Sequence, residues 1–434
     1  MKICMMTNTY LPHVGGVARS VSTFAEEYQR QGHDVLVVAP TFDGKPPPKR
    51  IEAIVERVAA IQNFNGSDFS VRLPLAASAS DRLDEFNADI IHAHHPFLLG
   101  DTALRIATSK NVPIVFTHHT RYEDYTHYVP FDSPALKEIA TALPTQFANL
   151  CDGVIAPSES IAKLIRKRGV TVPIRVVPTG IAVEEFASAD GARFRRANKI
   201  PARAFVVGHV GRLAPEKNLG YLADAVARFL QKTKNAMFLV VGGGPSEEEI
   251  KKVFARHGVA DRLVLAGKKT GRSLHEAYRA MNVFAFASKS ETQGMVLAEA
   301  MAAGLPVVAL NANGVREVMR HERNGLMLPG RASAAEFAAA LTRLYEEPKR
   351  LRAFSIEASA TAREFSKERC ATQALEFYEE IRRATRRERL EHTLSPWGTV
   401  LQRLELEWEL IASRTQTIAS AVFGETTPEE KKAS

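Results

Sequence analysis

The chain has 434 residues, 45% of them hydrophobic, with 57 Lys and Arg against 49 Asp and Glu for a net charge of +8, and three cysteines. That length predicts two or three domains, each able to bury a full core, and the composition excludes disorder for most of the chain. No basic-then-apolar leader precedes the first strand and no uncharged apolar run reaches about 18 residues, so the expectation is a cytoplasmic protein without a membrane span.

Short apolar runs alternate with amphipathic stretches from the start. A strand is predicted over Lys2–Thr7, a helix over Gly15–Gln31 with Val17, Val21, Phe24 and Tyr28 on one face, and a strand over Asp34–Pro40. Thr41–Leu75 is hard to read, because Pro46-Pro47-Pro48 interrupts it and Asn65-Gly66-Ser67-Asp68 spells a turn. Strands follow at Asp89–Ala93, Pro113–Thr117, Gly153–Pro157 and Ile174–Val177, separated by helices at Phe97–Lys110, Pro134–Leu150 and Ser158–Arg168. After a polar, irregular stretch to about Arg203 the rhythm restarts with Phe205–Val210, Met237–Val241, Leu263–Ala266, Val283–Ala287 and Pro306–Ala309.

This pattern is α/β: two Rossmann-like doubly wound parallel-sheet domains. The expected division is 1–180, 181–365, a helix over 366–394 returning towards the first domain, and a helical extension with a frayed tail over 395–434. Open parallel sheets bind ligands beyond the carboxyl ends of their strands, so two such domains facing each other would enclose one cleft. Cys4, Cys151 and Cys370 lack metal-ligand spacing and lie in apolar patterns, which predicts reduced core thiols.

Charge is uneven. Residues 1–185 carry 18 basic and 20 acidic side chains, and the remainder carries 39 and 29. A basic second half points to anionic partners, and the lack of basic stretches interleaved with aromatics argues against nucleic acid. An anionic substrate or an anionic membrane surface fits better.

The chemistry-bearing residues follow strand ends. Gly15-Gly16-Val17 opens the first helix, where unpaired amides can hold a phosphate, although a glycine turn explains it equally. Gly211-Arg212, with Lys217 five residues on, offers a planar fork and a mobile point charge for a diphosphate; an ordinary surface pair is the alternative. Gly242-Gly243-Gly244 permits close backbone approach or a turn, and Lys268 follows the next strand. Ser290 to Ala300 places Glu291 before a helix N-terminus and Glu299 a turn inside it, with Gly294, Met295, Val296 and Leu297 supplying amides. His92, His94 and His95, with His118-His119, invite a metal reading, but their spacing matches no standard zinc site.

Taken together, Gly211-Arg212 with Lys217, the Glu291/Glu299 pair, and Ala303-Gly304-Leu305-Pro306-Val307-Val308-Ala309 followed by Glu317 resemble retaining nucleotide-sugar glycosyltransferases of the GT-B fold, family-4 type, over about residues 1–390. The resemblance implies a nucleotide-sugar donor held mainly by the second domain, no obligatory metal or other cofactor, and transfer with retention. A second motif, His119-Thr120-Arg121-Tyr122-Glu123-Asp124-Tyr125, narrows it to bacterial 1,2-diacylglycerol 3-alpha-glucosyltransferases, which move glucose from UDP-glucose to diacylglycerol at the cytoplasmic membrane face.

On that resemblance His119, Arg212, Lys217 and Glu291 are expected to be catalytic. Gly15, Gly16, Gly211, Gly243, Lys268, Gly294, Met295, Val296, Leu297, Glu299 and Glu317 are expected at the donor. Val17, His118, Tyr122, Glu123, Asp124 and Tyr125 are expected at the acceptor. An enzyme acting on a lipid must lie on the bilayer, and Lys163, Arg166, Lys167 and Arg168 are the expected membrane contact, with Arg382, Arg383, Arg386, Arg387 and Arg389 as a second basic cluster. The Trp397, Leu401, Leu404, Trp408, Ile411 and Ile418 stripe suggests packing or self-association through residues 396–423.

Overall fold

The structure is a computed structural model, describing the whole chain except residues 14, 43–46, 62–70, 73–76, 121–133, 289–290, 292 and 393–434. The chain divides into two compact units, Met1–Pro178 with the segment from Cys370, and Thr179–Arg369. The expected extension over 395–434 lies outside the described residues.

In the first unit, β1 (Lys2–Met6), β2 (Asp34–Pro40) and β3 (Val55–Val58) precede a small antiparallel ribbon of β4 (Ala60–Ile61) and β5 (Val71–Arg72). Then come β6 (Ile90–Ala93), β7 (Ile114–Thr117), β8 (Gly153–Ala156) and β9 (Ile174–Val176). All but the ribbon form one parallel sheet in the order β3-β2-β1-β6-β7-β8-β9. Successive side chains of a strand point to opposite faces, and both faces are covered here. Cys4, Met6, Leu36, Ile91 and Phe116 enter one core with helices Leu99–Lys110 and Glu159–Lys167. Ile3, Met5, Val37, Ile90 and Val115 enter the other, against Val21, Phe24 and Tyr28 of helix Gly16–Arg30 and against Ala374, Phe377 and Tyr378 of the last helix, Lys367–His392. The three cysteines are buried, and burial pushes the Cys4 thiol up to about 12.

The second unit repeats the plan. Its strands β10 (Phe205–Val210), β11 (Ala236–Val241), β12 (Leu263–Leu265), β13 (Val283–Phe286), β14 (Val307–Leu310) and β15 (Gly325–Leu328) are all parallel, in the order β12-β11-β10-β13-β14-β15. In both sheets the strand order therefore turns back beside the first strand, between β1 and β6 and between β10 and β13.

Three features escape the sequence pattern. Strands β3 and β15 are four residues each, and Gly325 interrupts apolar patterning because a Cβ there would lie 1.9 Å from the Val307 carbonyl oxygen. The stretch expected to be irregular holds helices Val183–Ala187 and Gly191–Ala197, each anchored by one buried phenylalanine, Phe186 and Phe194. Arg195 ties the second of these to the sheet, donating to the Ala280 carbonyl and to Asn282 Oδ1 at 2.8 Å each.

Gly191 starts that helix directly against backbone: a Cβ would sit 2.1 Å from Arg279 O. Gly191→Ala should therefore lower the urea midpoint by the equivalent of about 1–3 kcal/mol, as overpacking does. Gly16→Ala, in a helix with nothing within 4 Å of the new methyl, should leave it unchanged or higher.

Candidate functional site

At the point where a parallel sheet reverses its strand order, neighbouring chain segments leave in opposite directions and a crevice opens beyond the strand ends. In the second unit the segments leaving β10 and β13 carry the expected cations and carboxylate. The chain runs from Gly211-Arg212 through a short 3-10 turn, Pro215–Lys217, and Lys217 Nζ donates to Glu291 Oε1, joining residues 74 apart in sequence. Both side chains are mostly buried, at 19% and 17% exposure, so this ion pair is screened far less than a surface one. Asn218, left-handed at φ 56°, ends the turn and sends its Nδ2 to the Ala287 carbonyl at 3.3 Å, a second tie between the same segments. Arg212 is exposed and bonded to Glu216.

Gly294 caps helix Met295–Ala302 in the left-handed region, φ 72°, bringing the first amides, those of Met295 and Val296, to the end of the Glu291 loop, while the Leu297 N–H, also expected at the donor, donates to the Gly294 carbonyl at 2.9 Å. Gly314 holds that loop from outside. Its N–H donates to the Glu291 carbonyl at 3.1 Å, and its carbonyl oxygen lies 2.4 Å from where a Gly294 Cβ would be. Gln293 is buried and reaches the Thr179 carbonyl at 3.1 Å. Glu299 is 2% exposed, and one carboxylate oxygen accepts from the Tyr278 hydroxyl at 2.8 Å, so its chemistry here includes a protein partner that its spacing did not suggest. Glu317 is half-buried and Lys268 exposed. The Gly242–Gly244 run is explained by the protein itself: a Cβ at 242 would meet Gly211 O at 1.9 Å and one at 244 would meet Leu213 O at 2.4 Å. Gly243, between them, faces the Lys268 side chain.

In the first unit, neither Gly15 nor Gly16 adopts a positive φ; Gly15 is extended and Gly16 begins the helix with open space around its missing side chain. A turn requirement therefore does not account for them. Val17 is half-buried beside them.

The histidines gather past β6 and β7. His92 is bonded on both ring nitrogens, Nε2 to Thr117 Oγ1 and Nδ1 to the Tyr378 hydroxyl, each at 2.6 Å, and Tyr378 continues to Tyr28 at 3.0 Å. His95 Nδ1 accepts from the Asn8 N–H at 3.1 Å. His94 Nδ1 lies 2.9 Å from Nε2 of His119, while His118 is buried against Phe116. The bonds of His92, His94, His95 and His119 make this a hydrogen-bonded network, and among the described residues no group of three or more His, Cys, Asp or Glu is arranged to hold a metal ion. Tyr122, Glu123, Asp124 and Tyr125 lie outside the described residues.

In helix Glu159–Lys167 the apolar side, Ile161, Ala162 and Ile165, is buried in the core of its own unit. Lys163, Arg166 and Lys167 are exposed, and Arg168 is half-buried. Of the second basic cluster, Arg382 is paired with Asp89 and Glu379, Arg383 is exposed, and the side chains of Arg386, Arg387 and Arg389 lie outside the described residues. Among the described residues no helix is long and apolar enough to cross a membrane.

Residues 14–185 match the Glycosyltransferase Family 4 model and residues 190–361 the Glycosyl transferases group 1 model. Alpha-monoglucosyldiacylglycerol synthase of Streptococcus pneumoniae is 30% identical over 317 residues, 71% of each chain. The chain belongs to the family 4 glycosyltransferases.

Other relatives of this glycosyltransferase include the alpha-monoglucosyldiacylglycerol synthase of Acholeplasma laidlawii, 27% identical over 85% of this chain and 94% of the relative. A GDP-mannose-dependent alpha-mannosyltransferase of Mycobacterium tuberculosis is 29% identical over 76% and 84%. Among solved structures, Anabaena Alr3699/HepE in complex with UDP superposes with a TM-score of 0.69 at 22% identity, covering 88% of this chain and all of that one. The fold of this glycosyltransferase is GT-B. Asn218, Tyr278, Gln293 and Gly314, which brace the expected site residues, were missed by sequence reasoning. Asn218 directly follows Lys217 and Gln293 directly precedes Gly294, so these two had a local signal.

Burial holds His92 down at about 3 and His95 and His209 at about 4. The unfolded chain, with histidines near 6.5, takes up protons first as pH falls. Stability from these neutral rings is therefore complete above about pH 6.5 and is lost progressively as pH drops towards 3–4, each group contributing a slope of about 1.4 kcal/mol per unit. Urea unfolding at about pH 7.5 and about pH 5 should show this loss, and His209→Phe should flatten part of it.

Proposed function

We propose that this glycosyltransferase transfers a hexose, glucose from UDP-glucose, to the free hydroxyl of diacylglycerol at the cytoplasmic membrane face, with retention of anomeric configuration. The observation that carries the donor half is the Lys217–Glu291 pair, held where the second sheet reverses and beside the amides of helix Met295–Ala302. Such a place suits a diphosphate: cations and an open helix end stabilise negative charge as it develops. The names of the two synthase relatives support glucose and diacylglycerol.

In this reading the bond from the anomeric carbon to the UDP oxygen breaks while Arg212 and Lys217 neutralise the departing diphosphate. The β-phosphate oxygen takes the proton from the lipid hydroxyl, whose oxygen bonds to the same face of the sugar, so no protein nucleophile is used. Glu291 orients the sugar, Glu299 the ribose, and His119 contacts a sugar hydroxyl; Glu317, Gly15 and Gly16 complete the donor pocket, with Gly16 leaving open backbone for close approach. His118, Val17 and the motif over 122–125 serve the acceptor.

The mannosyltransferase relative favours a second reading, GDP-mannose as donor to a lipid. A panel of UDP-glucose, UDP-galactose and GDP-mannose with diacylglycerol vesicles separates the two, since one extra contact to a hydroxyl decides the sugar. Lys217→Ala and Glu291→Ala should each abolish glycolipid formation with the circular dichroism spectrum retained; full turnover would remove the assignment.

Lys163, Arg166 and Lys167 would attract the protein to anionic lipid by charge alone, about 1 kcal/mol each. Reversing all three to Glu should abolish sedimentation with anionic vesicles, and raising salt on the unaltered protein should mimic it. Salt-insensitive binding would point instead to inserted apolar residues.

A further inference from the structure

His94 and His119 meet at the carboxyl ends of β6 and β7, Nδ1 of the first 2.9 Å from Nε2 of the second, with their rings stacked at 5.2 Å. Burial, and then the neighbouring imidazoles, hold both rings well below the ordinary histidine range, so near neutral pH each carries a single ring proton. One of the two facing nitrogens must bear a proton and the other a lone pair.

His94 decides which. Its other nitrogen, Nε2, is buried and has no hydrogen-bond partner among the described residues. A proton there would leave a buried N–H donor unsatisfied, whereas a lone pair leaves only an unfilled acceptor, which proteins tolerate more readily. The proton therefore sits on Nδ1 of His94 and is donated to Nε2 of His119. Because His119 then accepts at Nε2, its own proton lies on Nδ1, a nitrogen that takes part in no hydrogen bond among the described residues. His119 keeps part of its surface open.

The surroundings keep His94 in place. The His92 ring lies against it with centroids 3.9 Å apart, and His92 is held by Thr117 and Tyr378, while the backbone N–H of His94 donates to the Met6 carbonyl at 2.9 Å.

We propose that His94 is a positioning residue that fixes His119 as the Nδ1–H tautomer and so makes it a hydrogen-bond donor to a hydroxyl oxygen of the bound sugar. The identity of the ligand rests on the sugar-transfer reading above; the tautomer does not. The experiment uses full-length protein with isotope-labelled imidazole nitrogens, His119 signals being assigned with His119→Gln, together with steady-state kinetics on UDP-glucose and diacylglycerol vesicles. The unaltered protein should carry the His119 proton on Nδ1. His94→Leu should move it to Nε2 and lower kcat about ten- to a hundredfold with KM for UDP-glucose little changed. His94→Asn, whose amide can donate from near the Nδ1 position, should recover most of kcat. A His119 proton on Nε2 in the unaltered protein, or full kcat in His94→Leu, would overturn the proposal. Should His94→Leu not fold, the native tautomer and His94→Asn still decide it. Should no nucleotide sugar be turned over at all, the sugar-transfer reading fails while the tautomer measurement stands on its own.

Discussion

A parallel sheet whose strand order turns back on itself sends one crossover to each side, and the space beyond the two central strands is left to loops. In the second unit those loops are not free to choose their own shape. Lys217 and Glu291, held together with most of their surface removed from water, tie the segment after β10 to the segment after β13. Asn218 and Gly314 brace the two sides, one through the Ala287 carbonyl and the other through the Glu291 carbonyl. The donor chemistry proposed for this protein depends on that bond, because it puts a cation, a carboxylate and a helix N-terminus at one strand-order reversal. Each of the two cations rests on a carboxylate, Lys217 on Glu291 and Arg212 on Glu216.

The first unit solves the corresponding problem with imidazoles. Side chains past β6 and β7 are packed too tightly to be charged, and their hydrogen bonds run from Tyr28 through Tyr378 and His92 to Thr117. Tyr378 is contributed by the last helix, so the residues that complete this unit come from both ends of the chain. A buried polar network of this kind is stabilising only while each ring nitrogen keeps the right proton, and that requirement is what gives His94 its control over His119.

Amphipathicity serves the fold at helix Glu159–Lys167. A one-sided apolar pattern is what a helix needs to cover a sheet, and here Ile161, Ala162 and Ile165 do so. Lys163, Arg166 and Lys167 are left exposed, and the membrane contact proposed for them rests on charge rather than on buried apolar area.

By itself the sequence determined the alternation of strands and helices, the two doubly wound domains and the types of residue that follow β10 and β13, because period-two and period-3.6 patterning and glycine punctuation are local properties of the chain. It did not reveal β3, β15 or the helices at 183–187 and 191–197, which are short and are held through distant contacts, as where Arg195 donates to the Ala280 carbonyl and to Asn282. Nor did it reveal that Lys217 bonds to Glu291, that Tyr278 occupies an oxygen of Glu299, or that the Gly242–Gly244 run is explained by contacts within the protein itself. Those are decided by tertiary structure, since hydrogen-bond partners 74 or 21 residues apart are set by how strands stack into a sheet, a spacing no local pattern records.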